Sequence, residues 1–404
     1  MNARADFPLI AGSDAVYLDS AATTQKPRQV IEAERRFYET INANVHRGAH
    51  YLSRAATEAQ EAARRTVAEF LHAGSEREII FTSGCTEGIN LVAQTLALSG
   101  RVKPGEEILV ATDAHHSNIV PWQMLCERTG ARLRPIPLRE EDLSFDFHAY
   151  ERMLGAHTRL VAVPAVSNAL GLHLPVRKII EAARQTSALT LVDGAQSIAH
   201  DPVDVQELGC DFFVFSGHKI YAPTGTGVLW GKAELLEELP PWKGGGEMIH
   251  EVSFEKTSYN SLPFKYEAGT PNICGNIVLA EALRYVQGLG YAAIHEHEHA
   301  LMESLCNGLA ALGDGIHLLG GHSGGSAGRG SLVSIVVDHV HHYDLGTLLD
   351  QMGVAVRTGH HCCQPLMQFL GITGTTRFSP ALYNNEEDIA RAVNATARAL
   401  RMLR

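Results

Sequence analysis

Four short stretches carry residues able to do chemistry, and each closes an apolar run. In Phe215-Ser216-Gly217-His218-Lys219 a lysine follows the apolar run FFVF. A lysine so near a core loses hydration, which lowers its pKa and makes it a candidate Schiff-base nucleophile. A lysine that snorkels to the surface gives the same pattern. In Val192-Asp193-Gly194-Ala195-Gln196 a carboxylate ends the apolar run ALTLV. Buried there, it needs a cation, such as a protonated ring nitrogen, unless it caps a helix. The stretch Thr82-Ser83-Gly84-Cys85-Thr86-Glu87-Gly88 places small residues and hydroxyls between a strand and a helix. Backbone amides in such a turn can cradle a phosphate, or they can simply begin a capped helix. In Arg357-Thr358-Gly359-His360-His361-Cys362-Cys363, Cys362 stands beside imidazoles that can promote its thiolate. Zinc is read against, because no Cys-x-x-Cys occurs and adjacent residues rarely bind one ion.

A phosphate cup, a carboxylate for a ring nitrogen, a lysine for an aldehyde and a second nucleophile together describe a site for pyridoxal phosphate. The elements around these stretches must bring them together. Apolar strands are expected at 78–81, 106–111, 159–166, 188–193, 210–216 and 226–231, with helical segments between them. That alternation predicts an α/β fold with a mostly parallel central sheet covered on both faces. Loops at the carboxyl ends of such strands converge on one site. Further on, a helical run over 277–312 leads to a glycine-rich loop at 320–330 and a strand at 331–337. A helix at 343–352, a strand at 353–357 and a helix at 385–403 follow. The division expected is a large domain over 16–280 and a smaller C-terminal α/β domain over 281–404, with segment 1–15 packing against the latter.

Composition narrows the function further. The chain has 404 residues, enough for two or three domains, and a formal charge of −11 with no basic block, which argues against nucleic acid as a partner. No apolar run approaches the roughly 18 residues of a membrane helix. The opening MNARADFPLI has no signal-peptide pattern. The seven cysteines at irregular spacing fit a reducing cytoplasm better than a disulfide framework.

The sequence resembles the Suf-type (group II) cysteine desulfurases, members of the class V aminotransferase-like family of fold-type I pyridoxal phosphate enzymes. The resemblance runs through YLDSAATTQKP (17–27), NVHRGAH (44–50), HHSNIVPWQM (115–124), VSNALG (166–171), VDGAQS (192–197), FSGHKIYAPTGTGVLWG (215–231), PPWKGGGEMI (240–249), EAGTPN (267–272) and RTGHHCCQPLM (357–367). It implies that Lys219 holds the cofactor as a Schiff base, Asp193 faces its ring nitrogen, Gln196 its ring oxygen, and His115 its ring face. Cys85, Thr86, Ser216 and His218 would hold the phosphate, joined by Thr270 from a second subunit of a homodimer. Asn168, Arg357 and Arg377 would bind the substrate, with His46 and Arg47 at the entrance, and Cys362 would accept sulfur. The implied reaction converts L-cysteine to L-alanine for iron–sulfur cluster assembly. The alternative on the same fold is a selenocysteine lyase or cysteine sulfinate desulfinase.

Several positions depart from that pattern. Ser83 and Cys85 stand where relatives often have arginine and threonine, Ala222 and Cys363 where they have glycine and alanine, and Phe378-Ser379-Pro380 follows Arg377. Tyr343 occupies the place of a histidine that, in some relatives, binds a zinc-bearing acceptor, so a SufE-like thiol acceptor is expected instead.

Overall fold

A computed structural model describes residues 3–321 and 328–403. Part of the glycine-rich loop read at 320–330, namely 322–327, lies outside the described residues.

After a short strand β1 (Val16–Tyr17), the chain builds β2 (Ile79–Thr82), β3 (Glu107–Ala111), β4 (Arg132–Ile136), β5 (Thr158–Pro164), β6 (Leu189–Asp193), β7 (Phe212–Ser216) and β8 (Gly227–Gly231). The last seven form one sheet in the order β2-β8-β7-β6-β5-β3-β4, in which β8 alone is antiparallel to its neighbours. Side chains on a strand alternate between faces, so this sheet feeds two cores. Leu109, Val161, Val192 and Phe213 pack with the helices Arg28–Thr40, Tyr51–Phe70 and Ile273–Leu289. Their neighbours Ile108, Leu160, Leu191 and Phe212 pack instead with Cys85–Ser99 and Val120–Thr129. The strand β4 was not apparent in the sequence, because RLRPI carries two arginines and a proline. Such residues are tolerated where an edge faces water, and β4 is the edge of the sheet.

The helical run expected over 277–312 is two helices, Ile273–Leu289 and Tyr291–Ala310. Gly290 between them has φ 78°, a left-handed conformation that ends the first helix. After the hairpin β9 (Ile249–Val252) and β10 (Thr257–Tyr259), a second sheet follows in the C-terminal part. Its strands are β11 (Ile316–Leu318), β12 (Val333–Val337), β14 (Arg357–Gly359) and β15 (Thr375–Phe378), in the antiparallel order β11-β12-β15-β14. The single strand read at 353–357 divides at Val356, since β13 (Val354–Ala355) pairs with β1 rather than with this sheet. Near the N-terminus Phe7 packs against Tyr221, Tyr285 and Tyr383, with ring centroids 5.7, 6.0 and 4.8 Å away, and Arg4 pairs with Asp388 at 2.8 Å. The first segment therefore touches both parts of the chain.

One buried ion pair ties the helix Tyr51–Phe70 to the segment after the hairpin. Arg64, fully buried, donates to both Glu267 oxygens at 2.7 and 2.9 Å, and to the Ile79 carbonyl at 2.9 Å. Removing one partner of such a pair leaves an uncompensated charge in the core. Arg64→Ala is expected to destabilise the fold by about 3–5 kcal/mol. Urea unfolding of both proteins checks this; an unchanged midpoint contradicts it.

Candidate active site

A cavity of about 290 Å³ opens at the carboxyl ends of β6 and β7. Lys219, Asp193, Cys85 and Cys362 all line it. Two larger cavities, of about 410 and 690 Å³, contain no lysine, so the chemistry read from the sequence belongs to the smaller one.

Lys219 sits in a single 3₁₀ turn, Gly217–Lys219, immediately after β7. The turn is gripped from the N-terminal segment. The His218 carbonyl accepts from the Thr24 amide at 3.0 Å, the Thr24 hydroxyl at 3.0 Å and the Thr23 hydroxyl at 3.2 Å. Thr24 Oγ1 also accepts from the Tyr221 amide at 2.9 Å. Burial strips water from the Lys219 ammonium and lowers its pKa, opposed by the nearby Cys85 and Asp193. A lysine so placed reaches its neutral, nucleophilic form at a lower pH than an exposed one.

Asp193 is 5% exposed at the end of β6. Its Oδ1 accepts from the Ala195 amide at 2.9 Å and from the Cys85 thiol at 3.5 Å. Among the described residues no guanidinium or ammonium bonds it, and burial raises its pKa. Gly194 is required here, since a Cβ would come within 2.1 Å of the Phe213 ring. The Gln196 side chain donates to the Ala21 carbonyl at 2.8 Å and retains a second N–H for a ligand.

The turn before the helix Cys85–Ser99 lies against β7 and β8. The Cys85 amide donates to Ser216 Oγ at 2.9 Å. A Cβ on Gly227 would meet Gly84 Cα at 2.4 Å, so the closeness of β8 to this turn depends on glycine. Thr86 lines the cavity and is exposed to it, with Ser216 and His218 nearby. Burial and the neighbouring Lys219 push His218 down to about 4. The same causes, with His116 and Arg377 in addition, push His115 down to about 4, and its Nδ1 accepts from the Ser117 amide at 3.1 Å. Both rings are therefore neutral near pH 7, and His115 can lie on an aromatic ligand without carrying charge.

The opposite wall comes from the second sheet. Arg357 and Arg377 are directly opposed across β14 and β15, which puts their side chains on one face. Asp19 lies between them, 2.8 Å from Arg357 Nη2 and 3.5 Å from Arg377 Nη2. Arg377 Nη1 donates to the Asn168 carbonyl at 2.7 Å, and the Asn168 amide donates to the His361 carbonyl at 2.7 Å. Arg377 is 2% exposed and its Nε has no partner. Burial lowers its pKa to about 10, still a cation at neutral pH. A buried guanidinium with an unpartnered N–H, on a residue that lines the cavity, suits a carboxylate ligand.

The cavity thus gathers Cys85, Thr86, His115, Asn168, Asp193, Gln196, Ser216, His218, Lys219, Arg357, Cys362 and Arg377, every residue named from the sequence except three. His46 bonds Glu247 at 2.9 Å and Glu61 at 3.1 Å, and Arg47 pairs with Glu247 at 3.3 Å, all away from the cavity. Thr270 is exposed in a separate cavity with Trp242 and Lys243. Cavity residues given no role in the sequence reading include Ala21, Ala22 and Ser117, with Asp19 behind the wall on Arg357 and Arg377, while His361 was read there only as an imidazole beside Cys362. Asp19, Ala21 and Ala22 fall within YLDSAATTQKP and Ser117 within HHSN, motifs noted without roles for those residues.

The departures have local accounts. Ser379 exchanges backbone bonds with Leu18 and Ser20, and its hydroxyl accepts from the Ala21 amide at 3.0 Å. That stitching brings Asp19 beside Arg377. Cys363 is fully buried among Leu138, Leu172 and Leu366 and donates to the Ala114 carbonyl at 3.4 Å. Burial drives its thiol far above the ordinary value. Cys362 is the one exposed cysteine of seven, and all seven are unpaired. Brief iodoacetamide treatment at neutral pH is expected to label Cys362 at least tenfold faster than any other cysteine, since thiol reactivity follows access and thiolate fraction. Peptide mass mapping checks this; rapid labelling of Cys85 or Cys363 contradicts it.

Known proteins share this fold. The profile of the family described as Aminotransferase class-V matches residues 16–392. A probable cysteine desulfurase of Vibrio cholerae is 46% identical over 404 residues, covering 99% of this chain and 98% of its own. A cysteine desulfurase of Pectobacterium carotovorum is 47% identical over 405 residues, with the same coverage. The crystal structure of the Escherichia coli cysteine desulfurase CsdA superposes with a TM-score of 0.90 at 40% identity, covering 99% of this chain and 98% of that one. Among the described residues no helix is long and apolar enough to cross a membrane.

Proposed function

Because the chain belongs to the class V aminotransferase family and matches cysteine desulfurases along nearly its whole length, we propose that it is a pyridoxal-phosphate-dependent cysteine desulfurase of the Suf type. The observation that carries this reading is a single cavity holding a desolvated lysine, a buried carboxylate without a cation and, at its mouth, the one exposed cysteine.

The residues fit the cofactor. Asp193 offers the charge that a protonated pyridine nitrogen requires, and Lys219 offers an amine for its aldehyde. The Cys85 amide, Thr86, Ser216 and His218 suit its phosphate, while His115 and Gln196 suit its ring. When bound, pyridoxal phosphate supplies an electron-withdrawing ring conjugated to the substrate's α-carbon. Arg377, with Asn168 and Arg357 alongside, would bind the carboxylate of L-cysteine. Lys219 Nζ takes the α-proton. The Cys362 thiolate then attacks the substrate sulfur, so that an S–S bond forms as the C–S bond breaks. The electron pair passes to carbon, which is protonated, and L-alanine leaves. Cys362 keeps the sulfur as a persulfide, ready for an acceptor that feeds iron–sulfur cluster assembly.

Thr270 supports a homodimer, because it is exposed and apart from the cavity of its own chain. A C2 pairing would deliver it, with the region of His46 and Arg47, to a second site. Seven unpaired cysteines fit a cytoplasmic protein. Tyr343, 65% exposed, places a phenol where a zinc-bearing acceptor needs imidazole, which favours a SufE-like thiol acceptor.

Two experiments test this function. The yellow holoenzyme with L-cysteine and a thiol is expected to release alanine and sulfide. Borohydride should fix the cofactor on Lys219, and Lys219→Ala should lose both trapping and turnover. Cys362→Ser should retain trapping and lose persulfide; persistent desulfuration in that variant would favour selenocysteine or cysteine sulfinate as the natural substrate. Trapping on another lysine contradicts the assignment. Separately, sedimentation is expected to give a dimer, with Thr270→Ala losing cofactor faster on dialysis. A monomer with full cofactor occupancy contradicts the shared site.

A further inference from the structure

The backbone that presents Cys362 is strained. His361 and Cys362 are consecutive residues with φ 50° and 54°. The left-handed region is costly for residues bearing a Cβ, and such strain persists only where surrounding contacts over-determine it. The contacts here come from two imidazoles and an asparagine. The Cys362 amide donates to His360 Nδ1 at 3.1 Å, and the Cys362 carbonyl accepts from the His116 amide at 2.7 Å. The next free amide, that of Gln364, donates to His116 Nε2 at 3.1 Å. Asn168 holds the His361 carbonyl, and the Cys363 amide donates to the His360 carbonyl at 2.8 Å. His116 therefore grips the turn twice, through its main chain and through its ring.

We propose that His116 is a positioning residue that clamps the Cys362 turn in its strained form through an unprotonated imidazole, and that acidification opens the clamp. The inference rests on Cys362 being the sulfur-accepting nucleophile. A ring nitrogen accepts from an amide only through its lone pair, so protonation at Nε2 of His116 turns an attraction into an N–H facing an N–H. The titratable groups facing His116 are the His360 ring at 5.6 Å and the His115 ring at 6.3 Å. Beyond them, Arg357 and Arg377 supply positive charge near His361, whose own ring stays neutral because burial and those charges lower its pKa to about 2. Burial, then the His360 charge, lowers the pKa of His116. The sign follows. Because the folded-state pKa lies below that of a free histidine, the clamp is intact at neutral pH. It weakens as pH falls from about 6.5, the free-histidine value, through the lower folded value.

The test uses the full-length holoenzyme and amide hydrogen exchange over 360–366, corrected for intrinsic rates. His116→Ala is expected to raise exchange of the Cys362 and Gln364 amides about tenfold at pH 7.5, as loss of one hydrogen bond of ordinary strength would. Wild type should show the same rise on going from pH 7.5 to 5. His116→Gln, which keeps an acceptor but cannot titrate, should restore protection of the Gln364 amide and hold it at pH 5. In single turnover with L-cysteine, His116→Ala should form persulfide about tenfold more slowly, while the cofactor's absorbance response to L-cysteine keeps its wild-type rate. Wild-type protection of the Gln364 amide in His116→Ala overturns the proposal, and so does loss of its protection in His116→Gln at acid pH. If His116→Ala does not fold, the comparison of wild type with His116→Gln still decides. Failure of the wild type to release alanine would overturn the proposed function instead, and the exchange measurement would still judge the clamp.

Discussion

A carboxylate buried with no cation bonded to it governs the centre of this molecule. Asp193 ends β6 in the interior, with a backbone amide and a thiol as its bonded neighbours. Desolvating an unpaired charge is expensive, so the surroundings of Asp193 make sense around a ligand that brings a positive nitrogen. Lys219 is the matching desolvated cation, and each group moderates the other's shift. The sheet order places both at the same edge, since β6 and β7 are parallel neighbours. The close packing of Gly194 on Phe213 and of Gly227 on Gly84 brings that edge against the turn before Cys85.

The second constraint is electrostatic and lies across the cavity. Two arginines opposed on adjacent strands repel, and one of them is buried. Asp19 relieves the repulsion without occupying Arg377 Nε, which stays unpartnered. Asp19 reaches that place because β1 pairs with β13 and the following residues bond Ser379. A chain segment from the N-terminus thus completes a wall whose other members come from residues 357–379. The same segment holds the turn of Lys219 through Thr23 and Thr24, which couples the lysine to the arginine wall.

Much of this was legible in the sequence because it depended on local pattern. Apolar strands bounded by small residues marked the sheet, and the functional side chains stood at their ends, as Lys219 and Asp193 do. What escaped depended on tertiary pairing. The polar strand β4 reads as a loop until the sheet gives it an edge position. The helical run 277–312 kept its apolar content across Gly290, so only backbone conformation revealed the break. Asp19 lies 338 residues from Arg357, and no spacing rule links them. Conversely, His46 and Arg47 stood out by motif, yet within one chain they pair with glutamates outside the cavity.

The central claim is that sulfur leaves L-cysteine by moving onto Cys362. The most direct measurement is a single turnover with L-[³⁵S]cysteine and no added thiol. Alanine is quantified, and the protein-bound label is mapped on non-reduced peptides. The account predicts one labelled sulfur on the Cys362 peptide for each alanine formed. Alanine formed with no protein-bound sulfur, or with the label on another cysteine, would contradict it.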